Sequence, residues 1–338
     1  MPASLTGLEA PMTPMPAFSL LLGSLRRLVA PFALAAAIAV PAYAADPLVA
    51  PDWLKDHRAD ANVVVLDVRS AIDGGGTKAY EEAHIPGSVH SDYDKDGWRV
   101  TRNDVPFVLP STAQLEKLIG DLGIDEDTHV VVVPAGVSFT DFGSAARVYW
   151  TLKVAGLKDV SILNGGVAAW KKAGLPLDSG KVEPSPKIFT VSIDKSPLAE
   201  IDEVKQVEEK GGATLIDARP PSFFEGKERA PTVQAYGHIP NAISLDSAKY
   251  YDAQNNVLKP KAEVAALSAA LPPGPAVAYC NTGHWAATDW FVLHEVLGRQ
   301  RVKLYDGSMT EWSANPRRPV ESSRTKWDDL KKSLGLGS

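Results

Sequence analysis

The feature that most restricts the fold of this 338-residue chain is an internal repeat. The phrases "NVVVLDVRSAIDGGG…YEEAHIPGSVHSD" (62–92) return as "GATLIDARPPSFFEG…QAYGHIPNAISLD" (212–246). Further on, "HVVVVPAG…SAARVYWTLKVAGLKDVSILNGGVAAWKKAGLPL" (129–177) is answered by "AVAYCNTGHWAATDWFVLHEVLGRQRVKLYDGSMTEWSANPRRPV" (276–320). The order is kept, and His84 and His238, which open the two His-Ile-Pro phrases, lie 154 residues apart. A period this long means two similar domains, not a solenoid of short units, and the chain length agrees with two.

Each half alternates short β-branched runs with helical patterns. The runs 63–66, 130–133 and 160–163, and their counterparts 214–216, 277–279 and 302–304, are continuous and apolar, bounded by turn residues and free of polar alternation. Such runs predict strands buried on both faces. "STAQLEKLIGDLG" (111–123) offers a Ser N-cap, apolar residues at helical spacing and a closing Gly, which predicts a helix. "SAARVYWTLKVAGL" and "WAATDWFVLHEVLG" predict helices ending at Gly156 and Gly298. Strand–helix alternation specifies α/β domains with a mostly parallel sheet covered on both faces. The Pro- and Ser-rich segment 178–197 reads as a linker.

The N-terminal region stands apart from this pattern. Arg26-Arg27, an Ala-rich apolar run and Ala42-Tyr43-Ala44 before Ala45 have the layout of a secretory signal with an A-x-A cleavage site. Pro31 and Pro41 interrupt the run, which is short for a membrane span. The expectation is a signal peptide over 1–44, a mature chain from Ala45 in a periplasmic or secreted setting, and no stable membrane anchor after cleavage. The domains are then 45–177, the linker 178–197, and 198–322, with a tail over 323–338. The net charge of −6 comes from interspersed residues, and there is no basic stripe, which argues against nucleic acid as a partner. One cysteine and seven scattered histidines show no metal-ligand spacing, and Gly74-Gly75-Gly76 lacks the dinucleotide pattern.

The lone cysteine, Cys280, directly follows the strand 277–279 and precedes a helix starting near Trp285. A residue at the carboxyl end of a parallel strand sits where open α/β sheets bind ligands. Gly283 permits the loop "CNTGHW" to turn back over the thiol. Successive backbone N–H groups then form a cradle that favours an anionic sulfur and a nucleophilic Cys280.

The doubled Asp-x-Arg and His-Ile-Pro phrases, "LNGG…AW", "LYDGS…EW" and the Cys-led six-residue loop together resemble the rhodanese superfamily, specifically its tandem-domain sulfurtransferases, over roughly 48–320. The resemblance implies an α/β fold of two rhodanese-like domains, each a mostly parallel sheet flanked by helices on both faces. It implies transfer of sulfane sulfur from thiosulfate or 3-mercaptopyruvate to a thiophilic acceptor, such as cyanide or a thiol, through a Cys280 persulfide. No cofactor beyond that covalent intermediate is implied. The first domain carries Pro134-Ala135 at the corresponding strand end and has no cysteine, so it serves as scaffold and cleft wall.

The resemblance makes Cys280 catalytic and Asn281, Thr282, Gly283, His284, Trp285 and Ala286 the loop that binds persulfide and substrate. Thr282 either hydrogen-bonds the sulfur or caps its own loop. His284 either assists an anionic donor as a cation, which favours thiosulfate, or faces solvent. Trp285 is expected to pack at the loop end. Arg219 and Arg229 resemble the positions where mercaptopyruvate-type members hold a carboxylate; the alternatives are a structural pair for Arg219 and a solvated charge for Arg229. His84 is expected to fix a turn, the alternative being that His84 or Asp92 contributes to the cleft rim, and Asp306-Gly307-Ser308 is expected to be structural. The loop contains no Arg to clamp phosphate, which argues against a cysteine phosphatase. A rival reading is a persulfide carrier that delivers sulfur to a periplasmic acceptor protein with low small-molecule turnover.

Overall fold

The computed structural model describes residues 12–14 and 45–324. The expected signal peptide, apart from residues 12–14, and the tail beyond 324 therefore lie outside the described residues.

The two halves form two five-stranded parallel sheets of identical order. In the first, the strands run Leu48–Val49, Val160–Leu163, His129–Val133, Val63–Asp67 and Val89–His90 across the sheet. In the second, the same order is Leu198–Ala199, Val302–Tyr305, Ala276–Tyr279, Thr214–Asp217 and Ile243–Ser244. All pairings within both sheets are parallel. The three central strands of each sheet are the β-branched runs of the sequence. They are almost wholly buried, because helices cover both faces and leave no solvated side to encourage alternation. The edge strands are two residues long, and short edges limit unwanted pairing. Two antiparallel hairpins, Val100–Arg102 with Val105–Val108 and Tyr251–Asp252 with Val257–Leu258, are inserted outside the sheets.

The repeated phrases do repeated work. Asp67 pairs Arg69 at 2.8 Å in the first domain, and Asp217 pairs Arg219 at 2.6 Å in the second. His84 Nδ1 donates to the Tyr80 carbonyl and the ring stacks on that tyrosine; His238 repeats this with Phe224. Each histidine also bridges to a later segment, at Asp178 and Glu321, so both fix turns. Trp170 and Trp312 donate their indole N–H to the carbonyls of Pro176 and Pro319, closing each domain on its own final helix.

Segment 178–197 has almost no regular structure, yet it is pinned to the first domain by bonds from Lys187 to the Gly120 carbonyl, Ser192 to Ala155 and Asp194 to Val154. Gly120 and Gly156 make this approach possible, since a Cβ on either would lie 2.6 Å from a carbonyl of the segment.

The helix Phe139–Val154 is buried along nearly its whole length. It is sandwiched between its own sheet and the helix Trp285–Trp290 of the second domain, which continues in π geometry over Phe291–Val296. A helix buried on all sides has no polar face to display, which is why "SAARVYW" reads as small and aromatic. Phe142 and Tyr149 meet Phe291 edge-on at 5.8 and 5.0 Å between ring centres. One apolar core thus runs through both domains.

Candidate active site

Cys280 follows the strand Ala276–Tyr279, at the carboxyl end of the second sheet, and retains 1% of its surface. The chain after it turns tightly: Gly283 has φ +71°, and a Cβ there would lie 2.5 Å from Arg147 Nη1 and 2.8 Å from Asp306 Cα. Only glycine fits a left-handed residue in so confined a place.

The loop is held from three sides. Ser308 Oγ accepts the N–H of Cys280 and of Gly283, both at 3.0 Å, and donates to the Tyr305 carbonyl. The N–H groups of Met309 and Thr310 donate to the carbonyls of Cys280 and Asn281 at 3.0 Å. From the first domain, Arg147 donates to the Thr282 carbonyl at 3.2 Å, to the Phe107 carbonyl and to Asp306 Oδ2 at 3.3 Å. Asp306 Oδ2 also accepts the Leu109 N–H at 2.6 Å, so a buried guanidinium and carboxylate lock the two domains together beneath the loop.

Among the described residues, the N–H groups of Asn281, Thr282, His284, Trp285 and Ala286 find no acceptor. The equivalent loop of the first domain shows what such amides can do. Val133 and Tyr279 occupy matching register positions, opposite Asp67 and Asp217, which aligns Pro134 with Cys280. There the amides of Ala135, Gly136 and Val137 converge on the Asp141 carboxylate at 3.0, 2.6 and 3.0 Å. In the copy without a cysteine the nest is filled by an internal anion.

Several sequence-derived roles change. His284 is 7% exposed, and both its nitrogens are in use: Nε2 faces the Thr140 carbonyl at 2.9 Å and Nδ1 faces the Tyr93 hydroxyl at 2.8 Å. A carbonyl acceptor fixes the proton on Nε2, leaving Nδ1 to accept from Tyr93. Burial, with the Arg99 charge nearby, pushes its pKa down to about 3. It is a neutral interdomain tie, neither a solvated residue nor a cation, and the charge argument for thiosulfate falls with it.

Arg219 is 1% exposed and spends its donors on Asp217, the Gly237 carbonyl and Asn281 Oδ1. Arg69, in the domain without a cysteine, is likewise bound to its aspartate, Asp67, and to two carbonyls, so Arg219 stands in a structural pair that the first domain repeats. Arg229 is exposed; its guanidinium turns back to the Val233 carbonyl and the Tyr236 ring, with no bond to the Cys280 loop.

The Thr282 hydroxyl has no hydrogen-bond partner among the described residues, so it does not cap its own loop. Trp285 packs between Phe139 and Phe223, with 6.1 Å between ring centres on each side, and its indole N–H reaches Thr140 Oγ1 at 3.3 Å. Ala286 is buried in the first helical turn. Sequence reasoning missed Tyr93, Thr140 and Arg147 as parts of the site and undervalued Ser308. For Ser308 a signal existed: "LYDGS" puts serine where "LNGG" has glycine.

The Rhodanese-like domain family matches residues 50–173 and again 200–315. The chain belongs to the rhodanese family. It is 30% identical over 282 residues to a 3-mercaptopyruvate sulfurtransferase of Escherichia coli, covering 81% of this chain and 97% of that one. It is 33% identical over 286 residues to a putative thiosulfate sulfurtransferase of Mycolicibacterium smegmatis, covering 82% and 98%. The crystal structure of a 3-mercaptopyruvate sulfotransferase of Escherichia coli superposes with a TM-score of 0.66 at 27% identity, over 78% of this chain and 98% of that one. Within this rhodanese each matched segment contains all of one sheet but its first two-residue edge strand, and the only cysteine lies in the second segment.

Proposed function

We propose that this rhodanese is a sulfurtransferase that carries sulfane sulfur on Cys280. The observation that carries the reading is the row of unpartnered amides following the cysteine, in a loop whose sister copy holds a carboxylate with the corresponding groups. An anionic sulfur in that nest gains charge-assisted hydrogen bonds without reorganising the loop.

The Cys280 thiolate attacks the outer sulfur of thiosulfate, or the sulfur of 3-mercaptopyruvate. A new S–S bond forms, and the bond to the donor breaks with its electron pair leaving on sulfite or pyruvate. The persulfide anion then lies among the amides of Asn281, Thr282, His284 and Trp285, with the Thr282 hydroxyl free to donate to it. A thiophile such as cyanide attacks the outer sulfur and leaves as thiocyanate, which returns the thiolate. The two half-reactions make the kinetics ping-pong. With Cys280 1% exposed, only a slim donor or acceptor atom reaches the sulfur.

Intact-mass spectrometry before and after thiosulfate, with 3-mercaptopyruvate in parallel, tests this. The expected result is a gain of one sulfur atom that cyanide removes and that Cys280→Ser lacks. No gain from either donor overturns the reading.

Export completes the proposal. The A-x-A motif before Ala45 supports it, and so does the place of Ala45: its nitrogen lies 3.3 Å from Asp159 Oδ1, where cleavage after Ala44 creates an ammonium facing a carboxylate. N-terminal sequencing of protein from the periplasmic fraction should begin at Ala45; an unprocessed N-terminus refutes it.

A further inference from the structure

We propose that Asp141, in the domain without a cysteine, is a positioning residue for the Cys280 loop. Its carboxylate stands permanently in the anion nest of its own domain and so fixes the helical turn that grips His284 and Trp285. The inference goes beyond the sulfurtransferase reading and leans on it for only one of two readouts.

Three amides, of Ala135, Gly136 and Val137, end on this one side chain, and the Asp141 N–H in turn reaches Ser138 Oγ at 3.1 Å. The first turn of the helix Phe139–Val154 is therefore tied to the loop before it by four bonds. That turn is also where the second domain is held. The Thr140 carbonyl accepts from His284 Nε2 at 2.9 Å, Thr140 Oγ1 accepts from Trp285 Nε1 at 3.3 Å, and the Phe139 ring packs on Trp285. One turn further on, a Cβ at Gly143 would lie 3.0 Å from His284 Nε2, so the helix lies directly against the imidazole ring. His284 and Trp285 carry two of the loop amides that find no acceptor among the described residues. The path from Asp141 to the nest of Cys280 is thus unbroken and short: carboxylate, turn, Thr140, His284.

Asp141 is an unlikely residue for a core. It is 1% exposed, has no cation partner among the described residues, and burial pushes its carboxyl up to about 6. A buried carboxylate is retained at such a cost only where converging donors offset it. Here those donors are the counterparts of the amides left open in the catalytic copy. The domain without a cysteine has such a nest and fills it, and the filled nest supplies rigidity to its neighbour.

The experiment compares Asp141→Ala and Asp141→Asn with Val131→Ala, a core truncation that weakens the same domain without touching the turn, at a temperature where circular dichroism shows every variant folded. Two rates are read: sulfur loading from thiosulfate, and alkylation of Cys280 by iodoacetamide. Asp141→Ala should load about 10- to 100-fold more slowly, the usual result of misplaced reacting groups. It should also alkylate faster, because the cover over the thiol loosens. Sodium formate, a free carboxylate able to enter the emptied nest, should shift both rates back towards wild type. Asp141→Asn, which keeps one acceptor oxygen, should fall between, and Val131→Ala should change neither rate. The proposal is overturned if Asp141→Ala behaves as wild type, or if Val131→Ala reproduces its changes and formate reverses none of them. Should the wild type itself take up no sulfur, the sulfurtransferase reading fails, and the alkylation rates still decide the role of Asp141.

Discussion

Ser308 Oγ accepts the backbone N–H of Cys280 at 3.0 Å from a residue held at φ +50°, a left-handed conformation that the first domain gives to Gly166 at φ +54°. The second domain accepts strain that the first avoids, and the gain is a hydroxyl aligned with the cysteine. Ser308→Ala leaves the Cys280 and Gly283 amides buried without an acceptor, and should cost about 2 kcal/mol or more. Ser308→Gly removes the strain but not that loss. It should therefore unfold at a higher urea concentration than Ser308→Ala while loading sulfur just as slowly. Wild-type loading by Ser308→Gly would show that the hydroxyl is dispensable.

His284 should make stability fall in acid. Its pKa is about 3 in the folded chain against 6.5 unfolded, so between these values the unfolded chain binds the extra proton. Stability from this group is complete above about pH 6.5 and is lost as pH falls towards 3, at about 1.4 kcal/mol per pH unit. His284→Gln keeps a donor for Thr140 and does not titrate. Urea midpoints across that range should show wild type losing more stability than His284→Gln as pH drops. Parallel curves would mean that His284 is not held neutral.

Gly283→Ala combines a left-handed backbone with a Cβ 2.5 Å from Arg147 Nη1 and 2.9 Å from the Asp306 carbonyl. The expected loss is about 3 kcal/mol, with sulfur loading abolished in whatever fraction remains folded. A variant as stable as wild type would mean that the two domains do not close on this loop.

Arg219→Lys and Arg69→Lys should behave alike. Each replaces a buried forked donor that holds an aspartate and one or more carbonyls, and lysine cannot reproduce the fork. Both should lose about 2 kcal/mol, with the KM for thiosulfate unchanged. A KM raised by Arg219→Lys alone would restore Arg219 to the substrate.

The chain's duplication and its six central strands were legible because β-branched runs and long repeats are local patterns. The four two-residue edge strands were not, since two residues hold no periodicity. Cys280 was legible as one thiol placed after a buried strand. Its supports were not, because they come from far along the chain: Tyr93 is 191 residues from His284, Leu109 is 197 from Asp306, and Arg147 is 135 from Thr282. His284 was misjudged for that reason; its own loop offers it solvent, and only the first domain buries it. Arg219 was different. The Asp-x-Arg phrase occurs in a copy that has no cysteine to serve, and that alone argues for a structural pair.

A polypeptide emerges from the ribosome in one direction, and the bond between Cys280 and Ser308 spans 28 residues of that order. Tyr93, Thr140 and Arg147 precede the cysteine, whereas the hydroxyl that aligns its loop follows it. A nascent or truncated chain ending within those 28 residues carries the thiol without its oriented amides. Such a fragment has the cysteine but not the hydroxyl that holds its backbone, and the arrangement around the loop is complete only when the last strand and helix have been added.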